Sequence, residues 1–460
     1  MSERAPRVQP ARRVAYDVIA AVRESDAYAN LLLPTRIARA SLNTADAGLA
    51  TELTYGTLRM QGYYDRVIAR AAGRTVDRID PPILDVLRLG THQLLSMRVA
   101  THAAVDESVS LARAVGSRSA TGFTNGVLRE ISRHTPDEWR DRIIGDASSA
   151  DDELAAVFSH PVWVVRALRR ALEAEDRSGE LDELLAADNT APRVNLIALP
   201  GLAEPSAEAG PDRFSPFGFT LGGGDPQGIV DQFDGRIRVQ DEGSQLAALI
   251  LTRARDIVAG EEWLDLCAGP GGKAALLAAE ARLGGATLIA NELVPARADL
   301  VRRALAAVPE KVEVWERDGT TIGETDPERF DRILLDAPCT GLGALRRRPE
   351  ARWRKTPRDV AELTRLQAQL LDSAFAALKP GGILAYVTCS PHIAETRLSV
   401  ADAVTRWGDT AEQLDTASVL QELSNERLDL AAEPTEVQLW PHRHGTDAMF
   451  VALLTKRPPS

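Results

Sequence analysis

Cysteine, long apolar runs and an apolar leader are scarce or missing in this sequence. Only three of its 460 residues are cysteine, and no two of them form a C-x-x-C pair. Neither a disulfide framework nor a zinc site is therefore expected. No apolar stretch reaches the roughly 18 residues that a membrane-spanning helix requires. Residues 1–13 are charged and lack the apolar core of a secretion signal, so we expect a cytoplasmic protein with no metal and no membrane partner.

The charge of the chain is unevenly distributed. Its formal net charge of −12 argues at first against a nucleic-acid partner. Residues 1–140 are nevertheless net basic, and a dense basic island surrounds Trp353 within the acidic remainder. The island comprises Arg346, Arg347, Arg348, Arg352, Arg354, Lys355 and Arg358. Such a patch can bind phosphate groups, and the alternative is a solvated charged loop.

The pattern of apolar residues predicts a multidomain protein with three parts. Residues 1–142 have helical spacing and predict an all-helical domain. Residues 143–235 predict a small α/β module with a connector, in which the stretch 201–228, rich in Gly and Pro, forms loops. From 236 to 460 strands alternate with helices, which predicts an open, mostly parallel sheet covered on both faces. Ligands of such sheets bind beyond the carboxyl ends of the strands.

A glycine-rich turn lies between the first strand and the first helix of the predicted sheet domain. The turn comprises Cys267, Ala268, Gly269, Pro270, Gly271, Gly272 and Lys273. Its glycines allow a ligand to approach the backbone, and the helix that follows offers unpaired N–H groups. The turn lacks the residues of a Walker A loop and the G-x-G-x-x-G pattern of a dinucleotide site.

Two acidic residues follow the next two predicted strands. Glu292 is placed to bind ribose hydroxyls, and Asp318 is placed to accept a hydrogen bond from the amino group of an adenine. Because no second phosphate site is evident, this set favours S-adenosylmethionine over a dinucleotide. We interpret the Cys267 side chain itself as a packing residue.

The other two cysteines end predicted strands, in the segments Asp336–Cys339 and Thr388–Pro391. Thiols next to a cofactor turn favour nucleophilic chemistry. A thiolate that adds to C6 of cytosine activates C5 toward a methyl donor. A base must then remove the C5 proton, and Asp336 is suited to bind N3. The alternative is two buried cysteines in an apolar sheet, and spacing alone does not tell which thiol attacks.

At these residues the sequence resembles the bacterial ribosomal RNA 5-methylcytosine methyltransferases of the Fmu/Sun type. Its most specific motifs are Asp336–Cys339 followed by 346–350 and Trp353, and the segment Thr388–Ser390. The segment 239–245 also resembles the family. The turn reads CAGPGGK where the family usually has CAAPGGK.

The resemblance implies a fold, a cofactor, a substrate and a set of site residues. An all-α NusB-like RNA-binding domain, most similar at 123–128, would precede the α/β module and a Rossmann-like, S-adenosylmethionine-dependent methyltransferase domain. The substrate would be a cytosine in 16S ribosomal RNA, with Cys389 as nucleophile and Cys339 serving product release. Glu292 replaces an aspartate that is common in the family. The implied cofactor contacts are Cys267 through Lys273, Glu292, Asp318 and Asp336.

Three other functions are weighed against this one. A transfer-RNA cytosine-C5 methyltransferase is disfavoured by the NusB-like region. A non-catalytic RNA-binding assembly factor is disfavoured because Cys389, Cys339, Asp336 and Lys273 occur together. A DNA cytosine methyltransferase usually relies on one catalytic cysteine, whereas this chain offers two.

Overall fold

The computed structural model describes residues 8–25, 27–205, 210–221 and 226–458. The chain divides into two compact units. The first, called the helical unit, comprises the chain up to Arg166 together with Leu185–Thr190 and Leu345–Arg354. The second, called the sheet unit, comprises Ala167–Leu184, Ala191–Ala344 and the chain from Lys355 onward. Within the described ranges, no helix is both long and apolar enough to span a bilayer.

The helical unit is built as its apolar spacing predicts. Its core includes Val14, Val18 and Ile19 on one face of the first helix. The eighth helix begins with a capping box, in which Thr135 Oγ1 accepts from Glu138 N and the Glu138 carboxylate accepts from Thr135 N. The helices are α1 (Pro10–Ser25), α2 (Ala29–Arg39), α3 (Thr44–Arg59), α4 (Gln61–Ala72), α5 (Pro81–Leu95), α6 (Thr101–Val115), α7 (Arg118–Ile131), α8 (Pro136–Gly145) and α9 (Ala150–Val157).

A small antiparallel sheet occupies the first part of the sheet unit. Its strand order is β2-β3-β1-β4. The predicted loop stretch 201–228 is wrong in part, because two short strands and the start of a helix fall within it; residues 206–209 and 222–225 of that stretch lie outside the described residues. The elements are α10 (Val162–Glu173), α11 (Leu181–Ala187), β1 (Asn195–Ala198), β2 (Gly210–Pro211), β3 (Gly218–Thr220), α12 (Pro226–Gln232) and β4 (Ile237–Val239).

The large sheet of the sheet unit confirms the predicted α/β class. Its strand order is β10-β12-β9-β8-β5-β6-β7, and β11 pairs with β12. The strands are β5 (Glu262–Asp265), β6 (Thr287–Asn291), β7 (Glu313–Trp315), β8 (Phe330–Asp336), β9 (Leu378–Thr388), β10 (Ala411–Gln413), β11 (Glu436–Gln438) and β12 (Phe450–Lys456). The helices are α13 (Glu242–Arg253), α14 (Gly272–Gly284), α15 (Pro295–Leu305), α16 (Ile322–Thr325), α17 (Ala351–Arg354, in the helical unit), α18 (Pro357–Ala377), α19 (Arg397–Trp407), α20 (Thr416–Leu423) and α21 (Pro441–His444).

Both faces of this sheet are buried, which explains the nearly continuous apolar runs of its central strands. Leu334 and Ala385 point into one core cluster, whereas Ile333 and Leu384 point into the other. The pairs β7–β6, β6–β5, β5–β8 and β8–β9 are parallel. The carboxyl ends of these five strands therefore lie along one edge of the sheet.

The basic island differs from its predicted role as a phosphate-binding patch. Arg352 is fully buried in the helical unit. Its Nη1 donates to Ser159 O at 3.0 Å and to Asn189 Oδ1 at 2.8 Å, and its Nη2 donates to Asp188 O at 3.3 Å. The guanidinium satisfies buried backbone carbonyls and thereby anchors Leu345–Arg354 in this unit.

Other members of the island also have structural roles. Arg346 is buried, and its carbonyl accepts from Arg59 Nη2 at 3.3 Å. Arg354 Nη2 donates to Ala27 O at 2.6 Å. Arg348 and Trp353 remain exposed, so only part of the island is available to an RNA.

We predict that Arg352→Met destabilises the helical unit by about 2–4 kcal/mol, because three buried acceptors lose a charged donor. Thermal and urea unfolding would measure the change. Arg348→Met is the matched control, since an exposed arginine should cost less than about 0.5 kcal/mol. Equal losses in the two variants would contradict the anchoring role of Arg352.

Candidate active site

The two strand-end cysteines meet at the carboxyl edge of the sheet. β8 ends at Asp336 and β9 at Thr388, and Asp336 pairs with Val387 in the parallel ladder. This register brings Cys339 Sγ to 3.4 Å from Cys389 Sγ. Both residues are half-buried.

A glycine allows the loop after Cys339 to pass close behind Cys389. Gly343 N donates to Cys389 O at 2.9 Å. A Cβ atom at position 343 would lie 2.2 Å from Ala448 O and 2.8 Å from Cys389 O. Any larger residue would force the two backbones apart, and the separation of the thiols with them.

A lysine from the cofactor turn supplies positive charge beside the thiols. Lys273 Nζ binds Asp336 Oδ2 at 2.8 Å. Burial acts to lower the pKa of Lys273, but Asp336 and the Cys389 sulfur more than offset it and the pKa is raised. Lys273 therefore stays charged where a thiolate on Cys389 would form.

The two thiols are electrostatically unequal. The pKa of Cys339 is raised well above its usual value, first because of its hydrogen bond with Cys389 and then because it is desolvated. The negative charges of Glu395 and Asp336 act in the same direction. Cys339 thus holds its proton more tightly than an ordinary thiol, whereas Cys389 is the thiol that interacts with Lys273.

The glycine-rich turn forms as predicted between β5 and α14. Gly271 has a φ of +105°, a conformation that favours glycine, and its N–H donates to Ala268 O at 2.7 Å. Cys267 packs against an apolar cluster, and burial raises the pKa of its thiol. The structure thus brings the turn next to Cys389 through Lys273.

Glu292 is held against the turn by an arginine that sequence reasoning missed. Glu292 Oε2 accepts from Gly269 N at 3.2 Å and lies 3.3 Å from Arg297 Nη2. The same guanidinium donates to Gly269 O at 2.9 Å. A Cβ atom at position 269 would lie only 2.1 Å from Glu292 Oε2. Glycine at this position is therefore matched to the length of the Glu292 side chain.

Asp318 lies at the same edge of the sheet, but its side chain binds a residue that follows it closely in the chain. Its carboxylate accepts from Thr320 N at 2.9 Å and from Thr320 Oγ1 at 2.7 Å, which caps the short helical turn Gly319–Thr321. The side chain is exposed. No contact within the described residues joins it to the cysteines or to the turn.

The structure adds a buried acid, Asp265, at the end of β5. Its side chain is almost fully buried, and neither carboxylate oxygen has a hydrogen-bond partner among the described residues. Burial, with a contribution from Asp336, raises its pKa to about 8. The Cys267 N–H favours the ionised form but does not reach hydrogen-bonding geometry. The only sequence signal was an acid ending the strand before the turn.

A buried carboxyl group without a hydrogen-bond partner needs an explanation, and a bound cation is one. S-adenosylmethionine carries both a sulfonium and an ammonium group, and the residues present fit it. The turn offers backbone N–H groups, Glu292 offers a fixed carboxylate, and Asp265 offers a buried carboxyl group that a neighbouring cation would favour in its ionised form. Among the described residues, no group of three or more His, Cys, Asp or Glu could hold a metal ion.

Comparisons with protein families match two parts of the chain. Residues 253–455 match the model described as 16S rRNA methyltransferase RsmB/F, and residues 9–133 match the NusB family. A putative methyltransferase of Mycobacterium tuberculosis is 47% identical over 98% of this chain and 97% of its own length. The ribosomal RNA small subunit methyltransferase B of Erwinia tasmaniensis is 31% identical over 97% of this chain and 98% of its own.

Two solved structures share the fold. The crystal structure of PH0851 has a TM-score of 0.79 at 21% identity and covers 98% of this chain and 100% of its own. A methyltransferase homolog protein from Pyrococcus horikoshii has a TM-score of 0.50 at 25% identity and covers 64% of this chain and 99% of its own. The first likeness concerns the fold alone.

We predict that Gly269→Ala weakens binding of S-adenosylmethionine by roughly tenfold, because the new methyl group would displace the Glu292 carboxylate. Glu292→Asp in the same chain should restore most of the loss, since it shortens the side chain that clashes. Titration calorimetry of both single variants and the double variant would measure the coupling. Strictly additive losses would contradict the proposed match between positions 269 and 292.

Proposed function

The chain belongs to the 16S rRNA methyltransferase RsmB/F family, and we propose that it methylates C5 of a cytosine in 16S ribosomal RNA through a covalent bond between Cys389 and C6. Family membership makes it an S-adenosylmethionine-dependent RNA methyltransferase. The observation that carries the proposed mechanism is the pair of thiols 3.4 Å apart, with Lys273 and Asp336 beside them.

Attack begins with the Cys389 thiolate. Lys273 stabilises the negative charge of the sulfur. The sulfur forms a bond to C6, and the electron pair of the C5–C6 double bond shifts toward C4 and N3. Asp336, held by Lys273 at 2.8 Å, would hold the N3 edge of the cytosine in register. A proton shared between Asp336 and N3 would favour the addition of the sulfur to C6.

The cofactor provides the electrophile for the activated C5 carbon. When bound by the 267–273 turn, Glu292 and Asp265, S-adenosylmethionine supplies a methyl group on a sulfonium centre. The residues of the chain fix its position: Glu292 is clamped by Arg297, and the buried Asp265 would ionise beside the positive charge of the cofactor. Asp318 would contribute at the adenine end.

Release requires removal of the proton that remains on C5. Once Cys389 is bonded to C6, its negative charge is gone, and with it the contribution of Cys389 to the raised pKa of Cys339. Cys339 can then lose its own proton to solvent and take the C5 proton as a base. The electron pair of the C5–H bond re-forms the C5–C6 double bond, the C6–S bond breaks and its electron pair returns to Cys389.

We predict that Cys389→Ala lowers methylation of a 16S ribosomal RNA fragment by about 10³-fold or more, because no sulfur remains to activate C5. Binding of S-adenosylmethionine should stay within about twofold of the native protein. Cys339→Ala should instead accumulate a covalent protein–RNA adduct, seen as a slow band on a denaturing gel.

The two variants control each other, since each removes one sulfur from the same pair. An adduct with Cys389→Ala, or none with Cys339→Ala, would overturn the assignment of roles. The substrate is tested separately by bisulfite sequencing of total RNA from a deletion strain. A cytosine lost from transfer RNA rather than from 16S ribosomal RNA would favour the alternative substrate.

We also propose an RNA contact on the exposed remainder of the basic island. The Tyr28 ring is 43% exposed. The guanidiniums of Arg348 and Arg354 lie 5.5 and 5.1 Å from its centroid. Exposed aromatic rings next to arginines are typical of surfaces that bind single-stranded RNA through stacking and phosphate contacts.

We predict that Arg348→Met weakens RNA binding several-fold at low salt and reduces the slope of log affinity against log salt by about 1, because one phosphate contact is lost. Filter binding at several salt concentrations would measure both. Arg457→Met, an exposed arginine near the C-terminus, serves as control. Equal effects of the two variants would mean that general charge, not this surface, binds RNA.

A further inference from the structure

A buried carboxylate lies directly behind the two cysteine turns. Glu395 follows β9 in the short helical turn Ile393–Glu395 and its residue is 0% exposed. Its Oε1 accepts from Thr340 N at 2.8 Å, and its Oε2 accepts from Thr340 Oγ1 at 2.5 Å. Oε2 also accepts from Ser390 Oγ at 2.6 Å. Thr340 and Ser390 each follow a cysteine immediately in the chain.

The surrounding contacts make the carboxylate part of a closed network. Thr340 Oγ1 and Ser390 Oγ lie 3.2 Å apart. Gln367, fully buried on α18, donates to Pro338 O at 2.8 Å, on the other side of Cys339. Tyr386 donates to the backbone carbonyl of Glu395 at 2.8 Å. Both cysteine turns are thus tied to one side chain.

From this geometry we infer that Glu395 is a positioning residue, which holds the Cys339 and Cys389 turns at the separation the reaction requires. The catalytic consequence rests on the proposed function. Hydrogen bonds to an ionised acceptor are about twice as strong as neutral ones, and burial protects these from water. Thr340 and Ser390 are 50 residues apart in sequence, so their relative position depends on such contacts.

The chemistry of the contacts explains why glutamate suits this position. Four groups face the carboxylate and all of them act as donors: Thr340 N, Thr340 Oγ1, Ser390 Oγ and, at 3.5 Å, Gln367 Nε2. Only an ionised carboxylate accepts from all of them. In Glu395→Gln the amide NH₂ must face either the Thr340 N–H or the two hydroxyls, which would then have to turn and accept. Glu395→Asp would draw the carboxylate about one bond length away from both turns.

The direct test measures how readily the two thiols meet, and it requires neither RNA nor cofactor. Diamide oxidises two neighbouring thiols to a disulfide, taking up their two electrons and two protons. We predict that Glu395→Gln slows Cys339–Cys389 disulfide formation by roughly tenfold, because loosened turns bring the thiols together less often. Mass spectrometry of the peptides would measure the rate. The matched control is Glu280→Gln, another buried carboxylate of the sheet unit, which binds Thr252 and Arg253.

Two milder variants test the Cys339 turn and the Cys389 turn separately, in case Glu395→Gln folds poorly. Thr340→Val should mainly disturb the Cys339 turn and raise the fraction of enzyme trapped as RNA adduct. Ser390→Ala should mainly disturb the Cys389 turn and slow adduct formation. A loss of fold would lower both steps together and would not change their ratio.

Equal disulfide rates in Glu395→Gln and Glu280→Gln, or identical adduct ratios in Thr340→Val and Ser390→Ala, would overturn the inference. The disulfide rate does not depend on methylation. If it falls as predicted while Cys339→Ala forms no adduct with RNA, the positioning role holds and the proposed function fails.

Discussion

The parallel pairing of β8 with β9 is the constraint on which the site depends. Asp336 stands beside Val387 in this ladder, so the turns that follow both strands open at the same edge. Residues 50 positions apart are thereby brought to a sulfur–sulfur distance of 3.4 Å. A shift of one residue in this register would turn every side chain of the shifted strand to the opposite face and separate the thiols. β5, paired with β8 on its other side, adds the cofactor turn.

The residues at this edge of the sheet differ in charge and in the partners that their charges have. Lys273 binds Asp336 and interacts with the Cys389 sulfur, so its positive charge would stabilise a thiolate on that cysteine. Glu292 and Asp336 are each paired with a cation, Arg297 and Lys273, whereas Asp265 has no hydrogen-bond partner among the described residues. Burial raises the pKa of Asp265 to about 8, so its carboxyl group keeps its proton near neutral pH unless a cation lies beside it.

Sequence patterns predicted those elements whose signals lie within short, continuous stretches of the chain. The apolar runs of β8 and β9, the glycine turn and the strand-end positions of Cys339 and Cys389 were all readable from the sequence. The basic island was misread because burial of Arg352 depends on Ser159 and Asn189, far away in the chain. β2 and β3 are too short to show alternation. Glu395 gave no local signal, since its role lies in joining two distant turns.

The central claim is that the Cys389 sulfur, not that of Cys339, bonds to the pyrimidine. The most direct measurement uses native protein and a 16S ribosomal RNA fragment that carries 5-fluorocytosine, from which no C5 proton can be removed after methylation. The adduct should therefore accumulate, and mass spectrometry of the digested complex would locate it. A nucleotide attached to Cys389 is the predicted result. A nucleotide attached to Cys339, or no covalent adduct at all, would contradict the account.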